Sequence, residues 1–103
     1  MIRHFVMMRF REDVSSETKA EIYAGLDRLR ERLPGMVAFH AGQNVSPETP
    51  VIHGNHDAFW VDFADAAARD AYIVDEEHQK LGARIVALTK GGPEGVTVVD
   101  LEF

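Results

Sequence analysis

The order of the apolar patterns along the chain is its strongest structural constraint. Strand-like runs occupy residues 2–10, 36–43, 56–63 and 96–103, and helical spacing of apolar residues follows the first and the third of them. The order is therefore β-α-β-β-α-β, with the second helical region split. This order predicts an α+β domain in which helices cover one face of an antiparallel four-stranded sheet, the ferredoxin-like arrangement. We expect one domain over residues 1–103, because single domains are commonest at about 100 to 150 residues.

The helices have recognisable starts and ends. Ser15 or Ser16 provides an N-cap for the first helix, and Pro34-Gly35 ends it. Asp65 can cap the Ala-rich helix that follows the third strand. The last helical stretch carries apolar residues at i, i+3, i+7 and i+10 together with a histidine: His78, Leu81, Ile85 and Leu88. This spacing places His78 on the apolar face of its helix. The segment from Asn44 to about Asn55 is predicted to be an irregular loop because it contains two prolines.

Strands one, three and four carry bulky apolar residues on both faces. These residues include Phe59, Trp60, Val98 and Leu101, and those on the face away from the helices would form an exposed apolar patch. An exposed apolar patch of that size exceeds what monomers usually tolerate. We therefore predict a two-fold homodimer in which the sheets of two chains pack face to face around a shared interior.

Composition excludes several classes of partner and chemistry. The formal charge of −6, from 11 basic and 17 acidic residues, opposes binding to nucleic acid or to an anionic membrane surface. The absence of cysteine excludes disulfides, thiolate catalysis and cysteine-based zinc sites. No segment approaches the roughly 20 apolar residues of a membrane span, and the N-terminus lacks a signal-peptide pattern. We expect a soluble, cytoplasmic protein.

Two histidines, His4 and His56, stand in strand-like runs. An unpaired buried imidazole costs roughly 1 to 3 kcal/mol, so each must be hydrogen-bonded, exposed or functional. His4 shares its parity with Ile2 and Val6, and the sequence leaves open whether that face borders a cavity or packs on the helices. His53 and His56, with His40 as a third ligand, would be a weak metal site, because the spacing matches no recognised pattern. We predict no metal.

Several segments together resemble the stress-responsive dimeric α/β-barrel (Dabb) family over nearly the whole chain. They are residues 2–10, Leu33-Pro34-Gly35, residues 42–46, residues 53–59, Asp70-Ala71-Tyr72, His78-Gln79 and Val98-Val99-Asp100. The resemblance implies a ferredoxin-like protomer whose sheet pairs with that of a second copy to form a barrel.

One plant subgroup of this family consists of cofactor-free polyketide cyclases. Five positions of this sequence match the residues that line the cavity in that subgroup. The resemblance implies catalytic roles for His78, Tyr72 and Asp100, and substrate-binding roles for His4 and His56. His78 would be a general base or acid oriented by Asp100, and Tyr72 would hold the substrate. The alternative is that a His78–Asp100 hydrogen bond only ties helix to sheet.

The chain departs from the family at the segment before His78. The usual His-Pro is replaced by Asp75-Glu76-Glu77, and carboxylates close to His78 would favour its protonated form.

The function predicted from the sequence is binding of a small apolar or carbonyl-rich molecule in the barrel, with cofactor-free acid/base chemistry of the cyclase or isomerase type. Two alternatives stay open. One is a non-catalytic stress-response or ligand-binding protein with structural histidines, and the other is a cofactor-free monooxygenase-like enzyme.

Overall fold

A four-stranded antiparallel sheet with the strand order β2-β3-β1-β4 organises the molecule. The computed structural model describes residues 1–103. Its strands are β1 (Ile2–Met8), β2 (Met36–Gln43), β3 (Asp57–Phe63) and β4 (Val96–Glu102). Its helices are α1 (Ser16–Arg28), α2 (Thr49–Ile52), α3 (Ala66–Val74) and α4 (Glu76–Leu88). The predicted ferredoxin-like α+β fold is confirmed.

The predicted helix caps form as hydrogen bonds. The Ser15 Oγ accepts from the Thr18 N–H at 3.1 Å, and the Asp65 Oδ1 accepts from the Ala68 N–H at 2.9 Å. Each cap satisfies one of the N–H groups that have no partner inside the helix. The chain then turns between α1 and β2 through Gly35, which has a φ of 85°.

Several element boundaries differ from the sequence prediction. The helix α1 ends at Arg28 and is followed by a 3₁₀ turn over Leu29–Glu31, so it stops before the predicted end at Pro34-Gly35. β1 ends at Met8, and Phe10 forms only an isolated bridge with Thr89. β3 begins at Asp57, one residue after His56. The loop predicted as irregular contains the helical turn α2, with Pro50 in its first turn. Proline is tolerated there because the N–H that it lacks would have no partner at a helix start.

The alternation of β1 decides which face of the sheet His4 occupies. Ile2, His4, Val6 and Met8 are all at most 7% exposed, and they point toward the helices. The apolar core lies in this layer between sheet and helices, and it includes Phe63, Tyr72 and Ile85. The question that the sequence left open is thus answered: the face of β1 that carries His4 packs on the helices.

The opposite face of the sheet, called the open face below, carries aromatic and aliphatic side chains without a cover. The Phe5 and Trp60 rings stack at 5.8 Å with an interplanar angle of 9°. Val99 and Leu101 on β4 remain 41% and 56% exposed.

The apolar residues of both parities divide between the two faces of the sheet. Phe59 is only 3% exposed and packs in the core. Val98 is the register partner of Val6, so the two share the helix-facing side. Because side chains alternate along a strand, Trp60 and Leu101 lie on the other, open face. None of the helices is long and apolar enough to span a membrane.

Candidate functional site

A chain of polar contacts runs from the sheet to α3 through His4, Asp100 and Arg69. His4 and Asp100 face each other in register on β1 and β4, and their Nδ1 and Oδ1 atoms are 2.7 Å apart. The second carboxylate oxygen of Asp100 accepts a hydrogen bond from the Arg69 Nη1 at 2.8 Å. Partial burial would raise the pKa of Asp100, but the hydrogen bonds from Arg69 and His4 outweigh it and lower this pKa.

The ionised Asp100 fixes the tautomer of His4. A carboxylate can only accept hydrogen bonds, so the proton between the two side chains belongs to the His4 Nδ1. In the neutral ring this tautomer leaves the lone pair on the His4 Nε2, which can accept a proton or a hydrogen bond. Because Asp100 bonds His4, the predicted hydrogen bond between His78 and Asp100 is not formed.

Tyr72 lies between the two histidines. Its side chain is fully buried, and its ring centroid is 3.9 Å from that of His78 and 5.7 Å from that of His4. The Tyr72 hydroxyl and the His78 Nδ1 are both buried without a hydrogen-bond partner. Each such atom costs roughly 1 to 3 kcal/mol.

The protonation states of these two side chains follow from burial. Burial lowers the pKa of His78, as does the nearby His4, against the opposing effects of the Ile73 backbone and Asp75. Burial also raises the pKa of the Tyr72 hydroxyl. His78 is therefore neutral near pH 7, and Tyr72 keeps its proton. Asp75 raises the pKa of His78, as expected of a nearby carboxylate, but burial of the ring outweighs this effect.

Asp75, whose carboxylate contacts the His78 backbone, has partners of its own. Its carboxylate accepts from both Arg32 Nη1 and Nη2, at 2.6 and 2.7 Å, and also caps α4 through the His78 backbone N–H at 3.0 Å. The Arg32 hydrogen bonds are the main cause of a pKa of about 2 for Asp75. Asp75 thus stays ionised beside His78 and raises the pKa of its ring, but by less than burial lowers it.

A cavity of about 250 Å³ separates α4 from β1 and β4. Seven of its ten lining residues are hydrophobic, and His4 and His78 supply the polar side chains. The two imidazoles thus approach the same apolar space from opposite layers, one from the sheet and one from a helix. The cavity lies inside one protomer, between the sheet and the helices, and not on the open face.

Comparison with known proteins assigns the chain to a family. The model of the stress-responsive A/B barrel domain, Dabb, matches residues 2–103. This chain belongs to the Dabb family. A search of proteins with curated functions finds no match.

Solved structures agree with this assignment. A dimeric ferredoxin-like protein of unknown function from Jannaschia sp. CCS1 is 35% identical, with a TM-score of 0.90 over 99% of this chain and 98% of its own. A protein from Arabidopsis thaliana is 25% identical, with a TM-score of 0.85 over 100% and 95% of the two chains. A hydroxynitrile lyase from Passiflora edulis is 17% identical, with a TM-score of 0.79 over 97% and 90%, and shares the fold.

In this Dabb domain His56 does not join the other predicted site residues. Its side chain is exposed, and it lies five residues before Val61, the register partner of His4 on β3. At about 3.3 Å per residue, that separation is about 16 Å along the strand. Of the histidines considered as metal ligands, His40 packs on the Trp60 ring. Nowhere in the chain do three or more His, Cys, Asp or Glu side chains form a group that could hold a metal ion.

Two arginines that hold aspartates of the Dabb domain, Arg69 and Arg32, were not predicted from the sequence. Arg69 stands three residues before Tyr72 on α3, a spacing that places both on one side of a helix, so its proximity to the site was detectable. Arg32 contacts Asp75 across 43 residues of sequence, and no local pattern indicates that pairing.

Replacing Arg32 by alanine is expected to make the Dabb domain less stable in acid. A carboxyl whose folded-state pKa is depressed to about 2 adds stability above its unfolded pKa, and this contribution is lost as the pH falls from about 5 toward 2. Without Arg32 the pKa of Asp75 moves back toward its usual range, so acid unfolding followed by circular dichroism begins at higher pH. Arg30→Ala, which removes the exposed pair with Asp27, is the control. Equal acid midpoints for both variants would contradict the prediction.

Proposed function

We propose that each protomer of this Dabb protein binds a small, largely apolar carbonyl compound in the cavity between α4 and the sheet, and moves a proton next to its carbonyl group without a cofactor. The observation that carries the proposal is the pair of imidazoles on opposite walls of this apolar space, one of them oriented by a carboxylate. Such pockets, mostly apolar with a few placed polar groups, are typical of small-molecule sites.

His4 is the better placed base of the two. Its Nδ1–H is held by Asp100, so its Nε2 can take the proton from the carbon beside the carbonyl. The imidazolium that forms is stabilised by the carboxylate, as in other His–Asp pairs. The base role that the sequence analysis assigned to His78 thus passes to His4, with Asp100 as a positioning residue and Arg69 holding Asp100.

His78 supplies the complementary function. A neutral imidazole carries one N–H, and donation of that hydrogen to the carbonyl oxygen stabilises the negative charge that develops there during proton removal. A neutral histidine is suited to this task, because its N–H can polarise the carbonyl group while the ring itself is uncharged. Tyr72 packs against the His78 ring and fixes its orientation. Isomerisation and aldol-type cyclisation both begin with this step.

The direct test is hydrogen exchange on a simple ketone. The protein is incubated in D₂O with 2-heptanone, and loss of the proton signals beside the carbonyl is followed by NMR. We expect the wild type to accelerate exchange above the buffer rate, and the double variant His4→Gln/His78→Ala to be inactive. Equal exchange in both samples would favour the alternative in which the histidines are structural.

We further propose that the protein is a homodimer formed through the open face. Its relative from Jannaschia is described as dimeric, and the Phe5–Trp60 stack with Val99 and Leu101 would otherwise remain in water. A two-fold contact between identical open faces is closed and covers both patches at once. The ligand cavity lies on the other side of the sheet, so it is complete within each protomer.

A further inference from the structure

Gly82 stands in the middle of α4 (Glu76–Leu88), one turn after His78. Glycine in a helix interior is unfavourable, because it loses more conformational freedom on folding than any other residue. The backbone does not require a glycine here. The glycines with positive φ are Gly35, Gly54, Gly91 and Gly92. Another reason must be found for its presence.

Packing does not supply that reason either. On α1 the equivalent case is Gly25, where an added Cβ would lie 3.0 Å from the Leu81 Cδ2, so close helix packing explains the glycine. At Gly82 an added Cβ would have no atom within 4 Å other than those of its chain neighbours and of the helix's own backbone. The residue borders the cavity that holds both imidazoles. A side chain at position 82 would therefore enter open space beside the site.

We propose that Gly82 is a specificity-determining residue, whose missing side chain keeps a passage open for the hydrocarbon chain of the ligand. This inference rests on the proposed function and names the part of the ligand that the polar groups do not bind. Beyond Gly82 the cavity is bordered by Val86, Val96 and Val98, and Val98 is 54% exposed. The passage thus runs from the imidazoles to solvent between α4 and β4, and its apolar walls suit an alkyl chain.

The experiment compares Gly82→Leu with Ala83→Leu, its neighbour on the exposed side of α4. Binding of methyl ketones from 2-pentanone to 2-undecanone is measured by calorimetry. We expect Gly82→Leu to weaken binding of 2-undecanone at least tenfold while 2-pentanone changes less than threefold, and Ala83→Leu to match the wild type. Equal affinities of Gly82→Leu and the wild type for the longest ketone would overturn the proposal.

A second measurement separates this inference from the proposed function. Xenon binds apolar cavities without any polar chemistry, and its effect on the methyl NMR signals of Val86, Val96 and Val98 reports the passage directly. We expect xenon-induced shifts in the wild type and in Ala83→Leu, and their loss in Gly82→Leu. If ketones do not bind but this xenon pattern holds, the proposed function fails while the role of Gly82 stands. The proposed role of Gly82 would be overturned if the xenon-induced shifts were unchanged in Gly82→Leu, or if they were absent in the wild type.

Thermal unfolding adds an independent check on the empty space. Gly82→Ala is expected to raise Tm by about 4 °C or more, because alanine favours the helix and its methyl group meets no atom. A lower Tm would show that position 82 is closely packed and would contradict the proposal.

Discussion

Replacement of His4 by glutamine is expected to lower the rate of ketone deuterium exchange by about 100-fold or more. The imidazole Nε2 is the proposed proton acceptor, and an amide at this position cannot take up a proton near pH 7. Glutamine can still donate a hydrogen bond to Asp100, which limits the loss of stability at this buried position. The exchange rate is measured by NMR on 2-heptanone in D₂O, with circular dichroism to verify folding.

His56→Gln is the matched control for this variant. It makes the same chemical change at an exposed histidine outside the cavity, so its exchange rate should equal that of the wild type. A folded His4→Gln variant that exchanges ketone protons at the wild-type rate would remove His4 from the base role. Loss of exchange in His56→Gln alone would instead return that residue to the site.

Introduction of aspartate at Val99 is expected to convert the dimer into monomers. Val99 lies on the open face beside Phe5 and is 41% exposed in one protomer, so the protomer tolerates a charge there. In a two-fold dimer the substitution would bury an unpaired carboxylate in each half of the interface, and we expect the dissociation constant to rise about 100-fold or more. Sedimentation velocity measures the change.

Val74→Asp is the control for charge and exposure, because Val74 is 70% exposed at the end of α3, away from the open face. It should leave the dimer intact. Because His4, His78 and the cavity belong to one protomer, monomeric Val99→Asp should keep its exchange rate per chain. A Val99→Asp variant that stays dimeric would exclude the open face as the interface.

The elements of the fold were predictable because their signals are local. Ser15 and Asp65 indicate helix starts, because their side-chain oxygens can accept hydrogen bonds from backbone N–H groups in the first turn. Both hydrogen bonds form as predicted. The boundaries failed where tertiary contacts decide them. His56, for example, is excluded from β3 although its strand-like run includes it.

Which side chains lie close together was easier to predict from the sequence than which of them form hydrogen bonds with each other. The structure brings His4, Tyr72 and His78 together, and it places Asp100 beside His4. Which imidazole the carboxylate would bond depends on strand register, since Asp100 and His4 face each other across β1 and β4. Register is a property of paired strands and has no signature in either strand alone.

The sequence by itself determined the order of elements, the family and the residue types at the site, because periodicity, caps and motifs are read along the chain. Only the tertiary structure decided that His4 faces the helices, that Arg69 and Arg32 hold the two aspartates, and that Gly82 borders empty space. These features depend on the distances between segments remote in sequence. Such distances are set by packing the sheet against the helices. That is why the effect of burial on the pKa of His78 was not predicted, while its place on the apolar face of α4 was predicted correctly.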